Sequence, residues 1–283
     1  MRSGLAVLIG LAVAAPAAAQ APAAPPPIAS PSGAAPAAGS EWKAVDPANT
    51  WVIETTKGRI IVELHPELAP AHVARIKTLT RQGYYDGALW YRVVDSFMAQ
   101  GGDKGDKQYR SKLPNLKAEF TFRRTADMPY FSVVATEERG DMGFTGPMPV
   151  TLDKVAADGS QTGWVMFCPG VAGFTHYDTP VDSANSQFFL MRQAGGLDKT
   201  FTAFGRVLVG QDVVRALKVG EPVVGPDKMT RVRILADIPA AQRPVVEVMD
   251  TQSAAFAASV KKIIEDKRGA VTLCDFEVPA QVR

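Results

Sequence analysis

Cysteine and histidine are scarce in this sequence, and their scarcity narrows its chemistry. The 283 residues hold two cysteines and three histidines. His65, His72 and His176 have no partner at metal-ligand spacing, and no two of them fall at i, i+4, so no metal centre is expected. His65, at a strand end, and His72, on a predicted helix, read as surface or satisfied core residues. No Cys-x-x-Cys occurs, which argues against a thiol oxidoreductase. Neither a G-x-S-x-G elbow nor a Walker loop is present, and the Gly101-Gly102 pair is too short a signal for a phosphate cradle. An excess of one charge is missing too. With 31 basic and 29 acidic residues the net charge is +2, so no pull toward nucleic acid or an anionic membrane is expected.

Alanine and proline, by contrast, are concentrated at the N-terminus. MRSGLAVLIGLAVAAPAAAQ has a cation at Arg2, an apolar run from Leu5 to about Ala15 and small residues at 17–19, the layout of a secretory signal peptide. That run is short for a bilayer span, so no membrane insertion is expected once residues 1–19 are removed. Residues 20–48, rich in Ala, Pro, Ser and Gly, read as a linker. These features predict a periplasmic or secreted protein. In such a compartment Cys168 and Cys274 can form a disulfide, which would staple the segments that carry them; two buried thiols are the alternative.

Strand signals dominate the middle of the chain. WVIETTKGRIIVELHP reads as a hairpin turning at Thr55-Thr56-Lys57-Gly58. Helical spacing follows from Ala69 to Arg81 and again over Gln211–Val219. Short strand-like pieces (ALWYRVV, SFMAQGG, SQFFLMR, TAFGRVL) and a closing RVRILADI suggest a barrel or sandwich. A mixed segment, about 126–168, interrupts them and reads as an ordered insertion. After Ile238 a C-terminal extension, 239–283, carries a predicted helix over about 250–267, with Asp250 or Thr251 as its cap.

Two stretches carry the functional signal. In YRVVDSFMAQGGD, Met98 and Gln100 share one face of a strand; in DSANSQFFL, Gln187 and Phe189 share a face while Phe188 points the other way. Two strands that each place an amide beside an apolar side chain can build an apolar pocket with polar groups at its rim. These stretches resemble the two signature segments of the cyclophilin-type peptidyl-prolyl cis-trans isomerases. GRIIVELHPELAPAHVARIKTLTRQGYYDG and LDKTFTAFGRVLVGQDVVRAL resemble further family segments in family order.

The resemblance covers a domain of about residues 49–238 and implies a mainly β fold, an eight-stranded antiparallel barrel capped by two helices. It implies isomerisation of X-Pro bonds in proline-containing polypeptides, with no cofactor. The residues it implicates in catalysis are Arg92 and Gln100, with Phe97, Met98, Thr175, His176, Gln187, Phe189, Leu197 and Phe201 binding substrate. Departures occur at Gly196, where an aromatic is common, at Phe201, where His is common, and at Thr175, where a small residue is common. These departures and the insertion leave open a binding module that grips proline segments without turnover. The insertion itself either borders the groove or is a remote surface elaboration.

Overall fold

The computed structural model describes residues 41–104, 110–138 and 140–283. The expected leader and most of the expected linker lie outside these residues. The linker reading fails over its last residues. Trp42–Ala44 forms β1, and Val45 behind it is buried. Trp42 and Val45 are large enough apolar side chains to gain from burial.

Next come β2 (Thr50–Thr55) and β3 (Gly58–Leu64), a hairpin paired through Thr55 and Gly58 with Gly58 at φ 134°. Helix α1 (Pro70–Arg81) opens with Pro at its first turn, where the missing N–H is no loss. It closes in a Schellman arrangement: Tyr84 N–H donates to Leu79 O at 3.0 Å, Gly83 N–H to Thr80 O at 3.0 Å, and Gly83 sits at φ 66°. Short β4 (Arg92–Val93) and β5 (Met98–Gly101) follow.

The interrupting segment begins a few residues before the expected 126 and folds as a sheet of its own, comprising β6 (Phe122–Arg124), β7 (Phe131–Thr136), β8 (Gly140–Thr145), β9 (Met148–Leu152) and β10 (Gln161–Val165) in the order β6-β10-β9-β8-β7. The chain then returns through β11 (Val171–Phe174), β12 (Phe188–Met191), β13 (Ala203–Val209), α2 (Gln211–Ala216) and β14 (Met229–Ile234). Helix α2 and the closing strand both stop short of their sequence-predicted ends, Val219 and Ile238. The extension adds β15 (Val246–Met249), α3 (Ala254–Asp266) and β16 (Ala280–Val282), with β1-β15-β16 as a third small sheet. Ser253, rather than Asp250 or Thr251, caps α3: its Oγ accepts from Phe256 N–H at 3.1 Å.

The principal sheet has eight antiparallel strands in the order β14-β2-β3-β13-β11-β12-β5-β4. Its two flanks meet through residues 87–90. Leu89 bridges both Asp103 and Lys228, and Gly87 N–H donates to Met229 O at 2.7 Å. The expected eight-stranded architecture is therefore present, curled onto itself with single bridges at the seam. Its interior is packed by Trp51, Ile60, Val62, Phe188 and Leu190, with Val73, Ile76 and Leu79 of α1 and Val214 of α2 as plugs.

Two further apolar clusters lie outside that barrel. One joins Val45, Val52 and Ile61 to Phe131 and Phe144 of the insertion and to Phe256, Val260 and Phe276 of the extension. The other joins Met98, Phe189 and Met191 to Phe122, Val150 and Leu152 of the insertion. Buried Arg206 on β13 donates to Pro147 O in the β8–β9 turn at 2.5 Å, a further tie between barrel and insertion. Burial lowers the Arg206 pKa to about 10, which still leaves it charged at neutral pH.

Cys168 and Cys274 are joined, with Cα atoms 4.9 Å apart and a sequence separation of 106. Disulfides are typically worth about 2–4 kcal/mol, and more for longer closed loops. Reduction is expected to lower the denaturant midpoint correspondingly, read by urea unfolding with and without a thiol reductant. Coincident curves would show that the noncovalent clusters alone hold the extension.

A second expectation concerns α1. Ala69 at its N-cap offers no side-chain acceptor, and Glu119 takes that role from a distant segment. Its carboxylate accepts from the Ala71 and His72 amides at 3.1 Å each and from His72 Nδ1 at 2.7 Å. Burial disfavours the Glu119 charge, but these donors outweigh it and hold its pKa below the ordinary value. The stabilisation is therefore complete above the unfolded-state pKa, about 4.3, and disappears as pH falls through the lower folded value. Glu119→Gln should cost about 1 kcal/mol at pH 7, with the gap to wild type narrowing below pH 4. A gap constant from pH 7 to 3 in thermal unfolding would refute this.

Candidate active site

Strand register assembles the site. Across β4 and β5, Arg92 stands opposite Gln100; across β5 and β12, Gln100 stands opposite Phe189; across β12 and β11, Phe189 stands opposite Gly173. Residues opposite one another in antiparallel strands share a face. Arg92, Gln100, Phe189 and Gly173 therefore form one row, and the next row outward on β5 and β12 is Met98 opposite Met191. Phe188 points into the barrel, where it meets Trp51 edge-on at 4.8 Å. The alternation read from the sequence accordingly holds.

The apolar side chains converge. Met98 and Phe189 are buried in one cluster, with Phe97, Leu197 and Phe201 partly buried against it. Phe201 meets Phe189 edge-on at 5.6 Å, and Phe167 stacks behind Phe189 at 5.9 Å. Gly173 is required here, since a Cβ on it would come 2.3 Å from the Phe189 ring.

The loop carrying Leu197 is fixed from beneath by the insertion and its return strand. Asp198 Oδ1 accepts from Phe167 N–H at 3.0 Å, and Lys199 Nζ lies 3.5 Å from the centre of the Trp164 ring on β10. Burial raises the Asp198 pKa, with the Phe167 amide working against it. Trp164 and Phe122 bring the insertion to the groove, so of its two readings the structure supports the neighbouring one.

Arg92 is held from two sides. Its Nε donates to Glu221 at 2.5 Å and its Nη1 to Gln100 Oε1 at 3.2 Å, with the Met98 sulfur 3.9 Å away. Gln100 and Gln187 line a polar recess of about 210 Å³ together with Thr175, His176 and Asn185. Thr175 turns its hydroxyl onto Gln187 O at 3.1 Å. His176 lies between Phe201, at 4.4 Å, and Phe120, at 5.6 Å, with its ring nitrogens beside Tyr177 O and Thr200 O. Of the implicated residues, Gln100, Thr175, His176 and Gln187 line the polar recess, Phe97, Met98, Phe189, Leu197 and Phe201 share one apolar cluster, and Arg92 contacts both groups through Gln100 and Met98. At Gly196 an added Cβ would find nothing within 4 Å, so that flank is open.

Sequence reasoning passed over Glu221, Tyr91, Phe120, Phe167 and Trp164. Glu221 lies 129 residues from Arg92, and Phe120 and Trp164 belong to segments without a recognisable motif. Tyr91 stood beside Arg92 in the quoted stretch, where an aromatic on a strand reads as core.

His65 and His72 are buried, as expected of core residues, but only half satisfied: each Nδ1 meets a carboxylate, Glu67 and Glu119, while each Nε2 is buried without a hydrogen-bond partner. Among the described residues no group of three His, Cys, Asp or Glu side chains is placed to hold a metal ion.

Gly173→Ala is expected to push Phe189 into the apolar recess. Overpacking of this kind costs about 1–3 kcal/mol of stability. The affinity for a proline peptide should fall as well, measured by NMR titration. An unchanged Kd would mean that Phe189 does not wall the binding groove.

Comparison with known proteins agrees with this geometry. Residues 50–236 match the family model described as cyclophilin type peptidyl-prolyl cis-trans isomerase/CLD. A probable peptidyl-prolyl cis-trans isomerase of Brucella suis biovar 1 is 34% identical over 201 residues, covering 69% of this chain and 86% of that protein. Its counterpart in Brucella abortus strain 2308 is 33% identical over the same length and with the same coverage. The crystal structure of a cyclophilin from Hirschia baltica superposes with a TM-score of 0.78 at 32% identity, covering 85% of this chain and 93% of that one. With a curled eight-stranded antiparallel sheet and family segments in order along residues 50–236, this chain belongs to the cyclophilin-type peptidyl-prolyl cis-trans isomerases.

Proposed function

We propose that Arg92 is the group that accelerates X-Pro isomerisation in this enzyme, and that its substrates are proline-containing segments of exported polypeptides. The barrier to rotating an amide is about 18–20 kcal/mol because the nitrogen lone pair is shared with the carbonyl. Twisting the bond localises that pair on the prolyl nitrogen. A donor aimed at the nitrogen binds the twisted form better than either planar form, which is the condition for catalysis. No bond to the substrate forms or breaks, so no nucleophile is needed. The apolar group of Phe97, Met98, Phe189, Leu197 and Phe201 grips the ring. Gln100 and Gln187 hold the guanidinium and the flanking peptide.

One observation carries this reading. The Arg92 guanidinium is clamped at Nε and Nη1 by Glu221 and by Gln100 of the polar recess, with the sulfur of Met98, a member of the apolar cluster, 3.9 Å away. Two features support export: the leader-like composition of residues 1–19, and the Cys168–Cys274 bridge, a bond favoured in oxidising compartments.

Arg92→Ala tests the assignment. The rate constant for isomerisation of an X-Pro peptide, from NMR exchange, should fall about a hundredfold or more while peptide affinity changes little. A variant that keeps the wild-type rate would remove Arg92 from the mechanism.

A further inference from the structure

Tyr91 stands at the centre of a hydrogen-bonded chain that joins the two glutamines of the groove. Gln100 Nε2 donates to the Tyr91 hydroxyl at 2.5 Å, and that hydroxyl donates to Gln187 Oε1 at 2.8 Å. At one end, Arg92 Nη1 donates to Gln100 Oε1 at 3.2 Å. At the other, Gln187 Nε2 lies 3.4 Å from the carboxylate of buried Asp103. The chain is thus Arg92, Gln100, Tyr91, Gln187, Asp103, and it connects β4, β5 and the segment before β12.

The two ends fix its direction. A guanidinium can only donate, and an ionised carboxylate can only accept. Gln100 must therefore turn its oxygen to Arg92 and its amide nitrogen to Tyr91. Tyr91 has one proton, and with Gln100 already donating to its oxygen, that proton goes to Gln187. Gln187 then has its amide nitrogen facing Asp103. Burial pushes the Tyr91 phenol well above its ordinary pKa, so the proton this arrangement needs is retained. Each amide keeps a second N–H, and both amides line the polar recess beside Arg92.

We infer that Tyr91 is a positioning residue for isomerisation, locking Gln100 and Gln187 in one amide orientation so that Gln100 presents an acceptor to Arg92. This rests on the assignment of Arg92 as the rate-accelerating group. Without the phenol, Gln100 is free to rotate. A flipped Gln100 would turn its NH2 toward the guanidinium and displace it from the prolyl nitrogen. The apolar recess does not involve the phenol, so ground-state binding of proline is preserved. The signature is a loss in kcat with little change in KM.

The experiment compares Tyr91→Phe, Gln187→Met and the double variant by NMR exchange and peptide titration, with Arg92→Ala as a reference. Tyr91→Phe should lower kcat about tenfold, the effect of about one lost hydrogen bond in the transition state, with Kd for the peptide within about twofold. The double variant should lose little more than the worse single one, because both break the same chain. For Tyr91→Phe, a kcat within twofold of wild type or a parallel fall in affinity and melting temperature would overturn the inference, and so would kcat losses that multiply in the double variant. Should Tyr91→Phe not fold, Asp103→Asn poses the same question, because an amide there removes the acceptor-only end. A kcat lowered with Kd kept supports the chain, and an unchanged kcat overturns it. If Arg92→Ala retains the wild-type rate, the underlying assignment fails, whatever the tyrosine variants do.

Discussion

The antiparallel register of β4, β5 and β12 is the constraint on which this site depends. It places a guanidinium, an amide and an aromatic ring in one row across three strands, and the next strand ends that row with a glycine. A slip of one residue in β12 would turn Phe189 into the barrel and Phe188 out of it. The barrel core makes such a slip costly, because Phe188 fills space between Trp51, Tyr85 and Trp90. The packing that stabilises the fold therefore also sets the position of the candidate site. Such a strand-borne site is held more rigidly than one built on loops.

The insertion and the terminal segments are part of the same construction. The cluster holding Met98 and Phe189 continues without interruption into Phe122, Met148 and Val150 of the insertion. The loop bearing Leu197 is anchored through Asp198 and Lys199 to Phe167 and Trp164. The back of the apolar recess is thus formed by residues that lie within or border the added sheet. The N-terminal strand and the C-terminal extension share a second cluster with the outer faces of β2 and β3. In this chain the additions are load carriers for the groove as much as decorations of the barrel.

Much of this was legible in the sequence because strands have a period of two. Met98 with Gln100, and Gln187 with Phe189, could be assigned to common faces from order alone. The hairpin at Thr55–Gly58 and the helix opening at Pro70 follow from local turn and cap chemistry. What escaped were features fixed by contacts across long stretches of chain. Glu119 capping α1, Glu221 clamping Arg92 and Tyr91 meeting Gln187 are separated in sequence by 48, 129 and 96 residues. The five-stranded arrangement of the insertion escaped for a related reason: its strands are short, and its alternation is interrupted where two faces are buried, as in the fully buried β9. The cap of α3 was misplaced by two or three residues because Asp250, Thr251 and Ser253 all have suitable side chains, and only backbone geometry selects among them.

The bridge between Cys168 and Cys274 also divides the groove topologically. The chain between the two sulfurs forms a covalent ring that contains Gln187, Phe189, Leu197, Phe201 and Glu221, while Arg92, Phe97, Met98 and Gln100 lie outside it. One wall of the groove is borne on the ring and the other on the open part of the chain. A single backbone cut anywhere inside the ring, for example in the exposed stretch around Val224, opens the ring without releasing either fragment. The same cut in the reduced protein would leave β14 and the extension held only by noncovalent contacts, the β14–β2 and β15–β1 ladders and the apolar clusters.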